Sequence, residues 1–391
     1  MHSLGIYVQV PFCASKCSFC NFSSRVERPG VFTQYCRALQ REIVQAPAHY
    51  QALGAAKGLL ALPVDTIYFG GGTPSLLGAE RLEKVVGALH GALRVQDAVE
   101  FTLEVTPGSA DRQFLARALA MGINRLSIGA QTFEDRELRA VGRLHSALDT
   151  RELVQAARAA GFTNLSIDLV AGLPHQNPGS WRNSLEAALR LAPRHISLYL
   201  FEIDEKSRLG REVMQGGSRY HASTVPGQEF MADAYECGRE RLGREGYIHY
   251  EISNFALPDY ESKHNLKYWR LAPYLGLGAG AHSFDGNCRW SNVDSAGTYV
   301  NELAGGRTPV AEVRRIPPRE QLEEFFFLGL RQAAGVSLEA ARKRWGEELL
   351  GPWKPKIQSL TQDGLLTASG DNFRLAETAY LVSNEVFQQF V

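Results

Sequence analysis

Short β-rich runs alternate with helical stretches through the first half of the chain, and this alternation restricts the fold more than any other feature of the sequence. The runs are Gly5 to Val10, Asp65 to Phe69, Glu100 to Val105, Arg125 to Ile128, Asn164 to Val170 and His195 to Leu200. Between them lie segments with apolar residues at helical spacing: Phe32 to Val44, Ala79 to Leu93, Asp111 to Met121, Asp149 to Ala160 and Ser180 to Leu191. Parallel strands cannot be joined by a tight turn, so the repetition implies a parallel sheet with helical crossovers. The runs read as nearly continuous apolar strands, as expected when both faces of a sheet are covered. The expected fold class is α/β, a full or partial barrel or a doubly wound sheet, with ligands gathered at the carboxyl ends of the strands.

Past residue 205 the rhythm changes. Glu205 to Gly227 reads as a long polar loop, followed by a helix from about Glu229 to Glu245. Arg315-Ile-Pro-Pro318 reads as a linker, because paired prolines cannot continue a helix. Three helix-like stretches follow, then a hairpin over Leu365 to Leu375 and a last helix from about Glu377, which together suggest a small winged-helix-like domain. The expected division is a barrel core over 1–230, a barrel-completing segment over 231–312 and a C-terminal domain over 313–391.

Lys plus Arg and Asp plus Glu both number 42, which removes the electrostatic argument for a nucleic-acid binder. No apolar run approaches the roughly 20 residues that span a bilayer, and Met1 to Val10 resembles a strand rather than a signal peptide. The expectation is a cytoplasmic protein without a membrane span, which leaves transient membrane association open. In that compartment thiols stay reduced, and clustered cysteines more often bind metal than pair.

Cys13, Cys17 and Cys20 fall within eight residues, directly after the first strand. Three close thiolates can each take one corner iron of a cubane cluster, whereas a structural zinc site normally closes with four ligands and no further Cys or His stands at suitable local spacing. Cys36 lies in an expected helix and reads as a small buried apolar residue. After the second strand comes Phe69-Gly-Gly-Gly-Thr-Pro-Ser75, whose glycines let backbone approach a ligand. Glu104 ends the third strand, where a carboxylate can accept hydrogen bonds from hydroxyls or an amine. Gln131 follows the fourth, with Arg143 downstream. Asp168 lies in an apolar fifth strand, where burial without a partner is costly, so it calls for a ligand or a structural partner.

A Cys-x3-Cys-x2-Cys loop after the first strand, with the aromatic Phe19 before its last cysteine, resembles the radical S-adenosylmethionine (SAM) superfamily. That resemblance implies a partial (β/α)6 TIM-like barrel and a 4Fe-4S cluster held by Cys13, Cys17 and Cys20, with the open iron left for SAM. It also implies SAM contacts from Tyr7, Phe19, Gly71, Gly72, Thr73, Glu104, Gln131, Arg143 and Asp168. Asn124-Arg-Leu-Ser-Ile-Gly-Ala-Gln131, Ile167-Asp-Leu-Val-Ala-Gly-Leu-Pro174 and Tyr274-Leu-Gly-Leu-Gly-Ala-Gly280 narrow the resemblance to the oxygen-independent coproporphyrinogen III oxidase-like family.

Within that family the true oxidases carry a fourth cysteine two positions after the third, where this chain has Phe22, and an extension ahead of the first strand. Both departures, and His264-Asn-Leu-Lys-Tyr-Trp269, are similar to the heme chaperone (HemW) branch. This implies heme as a further ligand, an unidentified heme-acceptor protein as partner and no expectation of oxidase activity. His264 as axial ligand, with Tyr268 and Trp269 as flat contacts, is the heme site the resemblance implies. A hydrogen-bonded surface residue is the alternative for His264, and His249, His282 and Cys288 are weaker candidates.

Overall fold

The computed structural model describes residues 3–52 and 58–391. Six parallel strands lie side by side in chain order: β1 (Leu4–Val10), β2 (Val64–Gly71), β3 (Val95–Val105), β4 (Arg125–Gln131), β5 (Asn164–Ala171) and β6 (His195–Leu200). The crossovers carry α1 (Pro29–Ala52), α2 (Ala79–Ala92), α3 (Arg112–Ala120), α4 (Asp135–Ala140), α5 (Ala147–Ala160) and α6 (Pro178–Arg190). Local chemistry sets their starts. Asp111 caps α3 by accepting from the Phe114 N–H at 2.7 Å, and Ser146 with Asp149 forms a capping box on α5.

The strands are less uniform than their sequences read. Ile6, Val8, Ile67, Phe69, Leu126, Ile128, Ile167, Leu169, Ile196 and Leu198 belong to one core with the helices. The residues between them form a buried polar interior: the Tyr68 hydroxyl meets Glu104 at 2.9 Å, Ser127 meets Asp168, and Ser166 meets His195 at 2.8 Å. The period of two hides inside an apolar-looking run because Tyr, Ser and Thr occupy the inward positions.

The arc continues at both edges. β6 pairs with β8 (Asn254–Ala256), which pairs with β7 (Ile248–Glu251). β1 pairs in parallel with β9 (Tyr274–Leu277), beyond which come β10 (His282–Phe284), β11 (Cys288–Asn292) and β12 (Val310–Arg315). Strands β1 and β6 are not neighbours in this order, so the barrel is partial. Residues between 205 and 320 also supply α7 (Arg208–Met214), α8 (Gln228–Arg244), α9 (Lys263–Trp269) and α10 (Ala296–Ala304).

The stretch from Glu205 to Gly227, expected as a loop, contains α7 and a 3-10 turn over Arg219–Thr224. Ser207 caps α7 through the Gly210 N–H at 2.9 Å, and the Leu209 N–H reaches Ser18 O at 2.8 Å. Contact with the cysteine loop stabilises a helix too short to show a period. Pro318 is likewise the first residue of a helix rather than part of a linker, a position where its missing N–H costs nothing.

The C-terminal unit packs α11 (Pro318–Gly329), α12 (Leu338–Leu350), α13 (Trp353–Gln362) and α14 (Ser383–Gln388) on a three-stranded sheet. Its strands are β13 (Val336–Ser337), β14 (Leu366–Ser369) and β15 (Asn372–Leu375), in the order β13-β15-β14. Phe326 centres its core against Trp353, Phe373 and Phe390. The helices and small sheet make the winged-helix-like arrangement. Among the described residues no helix is long and apolar enough to cross a membrane.

Candidate cofactor site

A cavity of about 800 Å³ opens at the carboxyl ends of the parallel strands, and Cys13, Cys17 and Cys20 all line it. The loop that carries them is fixed by backbone. Gly72 N–H donates to Val10 O at 2.8 Å, Thr73 N–H to Phe12 O at 2.7 Å and Cys13 N–H to Arg25 O at 2.9 Å. Phe12 anchors its start, with its ring 4.7 Å from Phe32 and 5.0 Å from Tyr35. A Cβ added to Gly72 would stand 2.4 Å from Phe12 O, so the close passage of the two segments admits only glycine.

Cations stand beside the thiols. Arg143 Nη1 is 3.7 Å from Cys17 Sγ and Lys16 Nζ is 3.9 Å from Cys20 Sγ. Burial pushes the Cys20 thiol pKa up, and Lys16 opposes that shift. Lys16 also bonds Phe22 O and Ser24 Oγ, and Arg208 bonds Lys16 O, so the loop is closed by basic side chains that favour thiolate.

The opposite wall is acidic. Glu104 accepts from Tyr68 Oη at 2.9 Å and from the Gly71 N–H at 3.1 Å, and burial pushes its carboxyl up to about 7. Ser127 Oγ lies 3.3 and 3.2 Å from the two carboxylate oxygens of Asp168. Burial raises the Asp168 pKa as well, against the opposing effects of Ser197, Arg125, Ser127 and Arg143. Gln131 sits at φ 69°, a left-handed conformation rare for a residue with a Cβ and of the kind often held at ligand sites.

The structure thus brings together Cys13, Cys17, Cys20, Phe19, Gly71, Gly72, Thr73, Glu104, Gln131, Arg143 and Asp168 around one cavity. Tyr7 is not among the lining residues. Its hydroxyl donates to Gln9 Oε1 at 2.8 Å and its ring stacks near Tyr68 and His264, below the cavity floor. Sequence reasoning missed Lys16, Ser127, His145 and Tyr199, which also line the cavity. Ser127 and Tyr199 were detectable from the two-residue spacing of β4 and β6; Lys16 and His145 depend on loop paths.

His264, Tyr268 and Trp269 stand at the other end of the strands. α9 covers their amino ends, with the His264 N–H on Glu100 at 3.0 Å and Lys267 paired to Asp65 at 2.7 Å. His264 is 1% exposed, with Nδ1 2.9 Å from Thr66 Oγ1 and Nε2 2.9 Å from Tyr268 Oη, and burial pushes its pKa down to about 3. Neither ring nitrogen is open to an iron in this arrangement. The hydrogen-bonded role describes His264 here, with the residue buried rather than at the surface. Trp269 instead borders a cleft with Phe327, Leu328 and Arg331.

The residues at the carboxyl ends fit a cubane cluster with SAM. Three thiols face one space beside two cations, a glycine segment leaves room for a ligand, and the buried Nε of Arg143 has no partner. Among the described residues no three His, Cys, Asp or Glu side chains converge on a single ion. Ligands to separate corners of a cube do not need to converge.

A radical SAM superfamily model matches residues 7–188, and a HemN C-terminal domain model matches residues 316–382. The chain is 35% identical over 386 residues to the heme chaperone HemW of Bacillus subtilis, covering 98% of each. It is 32% identical over 385 residues to the heme chaperone HemW of Mycobacterium tuberculosis, covering 98% of this chain and 93% of the relative. Among solved structures, coproporphyrinogen III oxidase (HemN) from Escherichia coli, a radical SAM enzyme, superposes with a TM-score of 0.84. That match covers 100% of this chain and 90% of the oxidase at 22% identity, so it shows the shared fold alone. Superfamily membership implies SAM and a 4Fe-4S cluster, which the cavity's residues fit. With two full-length relatives above 30% identity, the chain belongs to the HemW family of the radical SAM superfamily.

Proposed function

We propose that this protein binds heme and hands it to an acceptor protein in the cytoplasm, with a SAM-ligated 4Fe-4S cluster in a supporting role. The observation that carries the reading is similarity along the whole chain to relatives named heme chaperones, together with Phe22 at the position where the oxidases carry a fourth cysteine.

In this reading Cys13, Cys17 and Cys20 hold the cluster, and Arg143 and Lys16 balance thiolate charge. When bound, the cluster supplies an electron and an open iron for the methionine end of SAM. Gly71, Gly72 and Thr73 provide a backbone edge for its amino group. Glu104 and Asp168 accept from hydroxyl or amino hydrogens, while Phe19, Gln131 and Arg143 bound the remaining walls. Heme lies outside this set, because the His264 imidazole is already engaged at both nitrogens.

The deciding experiment uses one anaerobic, cluster-replete sample. Hemin titration is expected to give a saturable absorbance band, and coproporphyrinogen III is expected to remain unconverted. Formation of protoporphyrinogen IX would make the protein an oxidase, and absence of any heme band would end the chaperone reading.

A further inference from the structure

Arg125 opens β4 and is 2% exposed, yet its guanidinium makes no hydrogen bond or ion pair with any described residue, and its Nε is without a partner. Arginine stays protonated in proteins, so a whole positive charge sits inside the barrel. A buried charge with nothing to balance it is among the most costly arrangements a fold can hold. Some group within electrostatic reach must offset it.

The ionisable and charged groups around it come from every neighbouring element. They are Tyr68 on β2, Glu100 and Glu104 on β3, Asp168 on β5, His195 and Tyr199 on β6, Tyr250 and Glu251 on β7 and His264 with Lys267 on α9, with Arg143 near Asp168 from the loop after α4. Burial disfavours charge on the tyrosines and on both imidazoles, and Arg125 disfavours it further on His195 and His264. Lys267 is committed to Asp65. Glu100 is engaged by the N–H groups of Lys263 and His264, and Glu251 by Asn254 and the Ser253 N–H; the two acids whose pKa Arg125 pulls down are Glu104 and Asp168, neither of which touches it.

Both carboxylates flank β4 immediately above Arg125, Asp168 bonded to it through Ser127 and Glu104 on the neighbouring strand with its oxygens held by Tyr68 and Gly71 of β2. Ser127, two residues along β4 from Arg125, bonds both oxygens of Asp168 and stands in register with Glu104 on β3. The order from barrel centre to cavity is therefore cation, carboxylate pair, ligand space. SAM carries a sulfonium and an ammonium, which a bare arginine would repel and a carboxylate pair backed by an arginine would not.

We infer that Arg125 is a positioning residue for the SAM site, a counter-charge shared by Glu104 and Asp168 that fixes both carboxylates on the cavity wall as acceptors for the ligand's hydroxyl and amino hydrogens. The inference rests on the SAM reading of the cavity. Arg125 itself stays beneath the floor and acts only through the two acids.

The test measures SAM affinity by equilibrium dialysis from pH 6 to 9 on the full, cluster-replete chain, for the unaltered protein, Arg125→Lys and Arg125→Met. Without the cation the acids hold their protons to higher pH. Arg125→Met should therefore bind about tenfold more weakly at pH 7 and recover toward pH 9, and Arg125→Lys should keep the original profile. Equal affinity at pH 7, or a loss identical at every pH, overturns the inference.

A second measurement needs no cofactor. Adding Arg125→Met to the unaltered chain should lower the urea midpoint, and adding it to Glu104→Gln/Asp168→Asn should raise it or restore folding. A lowering in both backgrounds overturns the pairing. If the unaltered chain binds no SAM, the cofactor reading fails, while the urea cycle still decides whether Arg125 and the acids are coupled.

Discussion

The imidazole Nε2 of His264 stands 2.9 Å from the hydroxyl of Tyr268, one helical turn further along α9, and Nδ1 of the same ring stands 2.9 Å from Thr66 Oγ1 on β2. One nitrogen donates and the other accepts, so the neutral ring pins α9 across the amino ends of the strands. Tyr7 and Tyr68 stack within 6.2 and 5.3 Å of it and complete the floor.

His264→Ala is therefore expected to destabilise the protein by about 2 to 4 kcal/mol in urea unfolding, because it opens a cavity and leaves two buried hydroxyls unpaired. The ring's folded pKa near 3 lies below the usual 6.5, so its contribution is complete above pH 6.5 and falls as pH drops toward 3. The stability of the unaltered protein should fall relative to His264→Gln over that window. A selective loss of heme binding with unchanged stability would instead identify His264 as a ligand that the resting fold conceals.

Each of Cys13→Ser, Cys17→Ser and Cys20→Ser should abolish the iron and acid-labile sulfide recovered after anaerobic reconstitution. Cys237→Ser, on the exposed face of α8, should leave both unchanged. An intact cluster in any of the three loop variants would show that its thiol is not a ligand.

Gly72→Ala forces a Cβ to within 2.4 Å of a carbonyl oxygen, and backbone there can yield only by separating β2 from the cysteine loop. A loss of roughly 1 to 3 kcal/mol is expected, with weaker SAM binding in the same variant. Gly87→Ala, on α2 with open space around it, serves as the control and should leave stability unchanged or raised.

Glu104 has a folded pKa of about 7, above the ordinary carboxylate range, so the folded chain holds a proton that the unfolded chain releases. Its contribution is complete below the unfolded value and is lost as pH rises through 7. Glu104→Gln should gain stability relative to the unaltered protein across that interval and bind SAM more weakly. A stability difference independent of pH would show that the acid is ionised at all pH values tested.

The strand-helix alternation fixed the parallel sheet in advance, because strand length, apolar content and the need for crossovers are local properties. The three cysteines, the glycine segment and the strand-end acids were legible for the same reason: each lies in or just past the carboxyl-terminal half of a strand, a predictable place. Tertiary structure alone decided the rest. It made the barrel interior polar through inward Tyr, Ser and Arg residues that an apolar run disguises, and it built α7 from a contact with the cysteine loop. It also turned His264 into a pin for α9 rather than leaving its ring open, because the partner of a buried polar group is chosen by whichever distant strand comes within 3 Å, a distance no local pattern encodes.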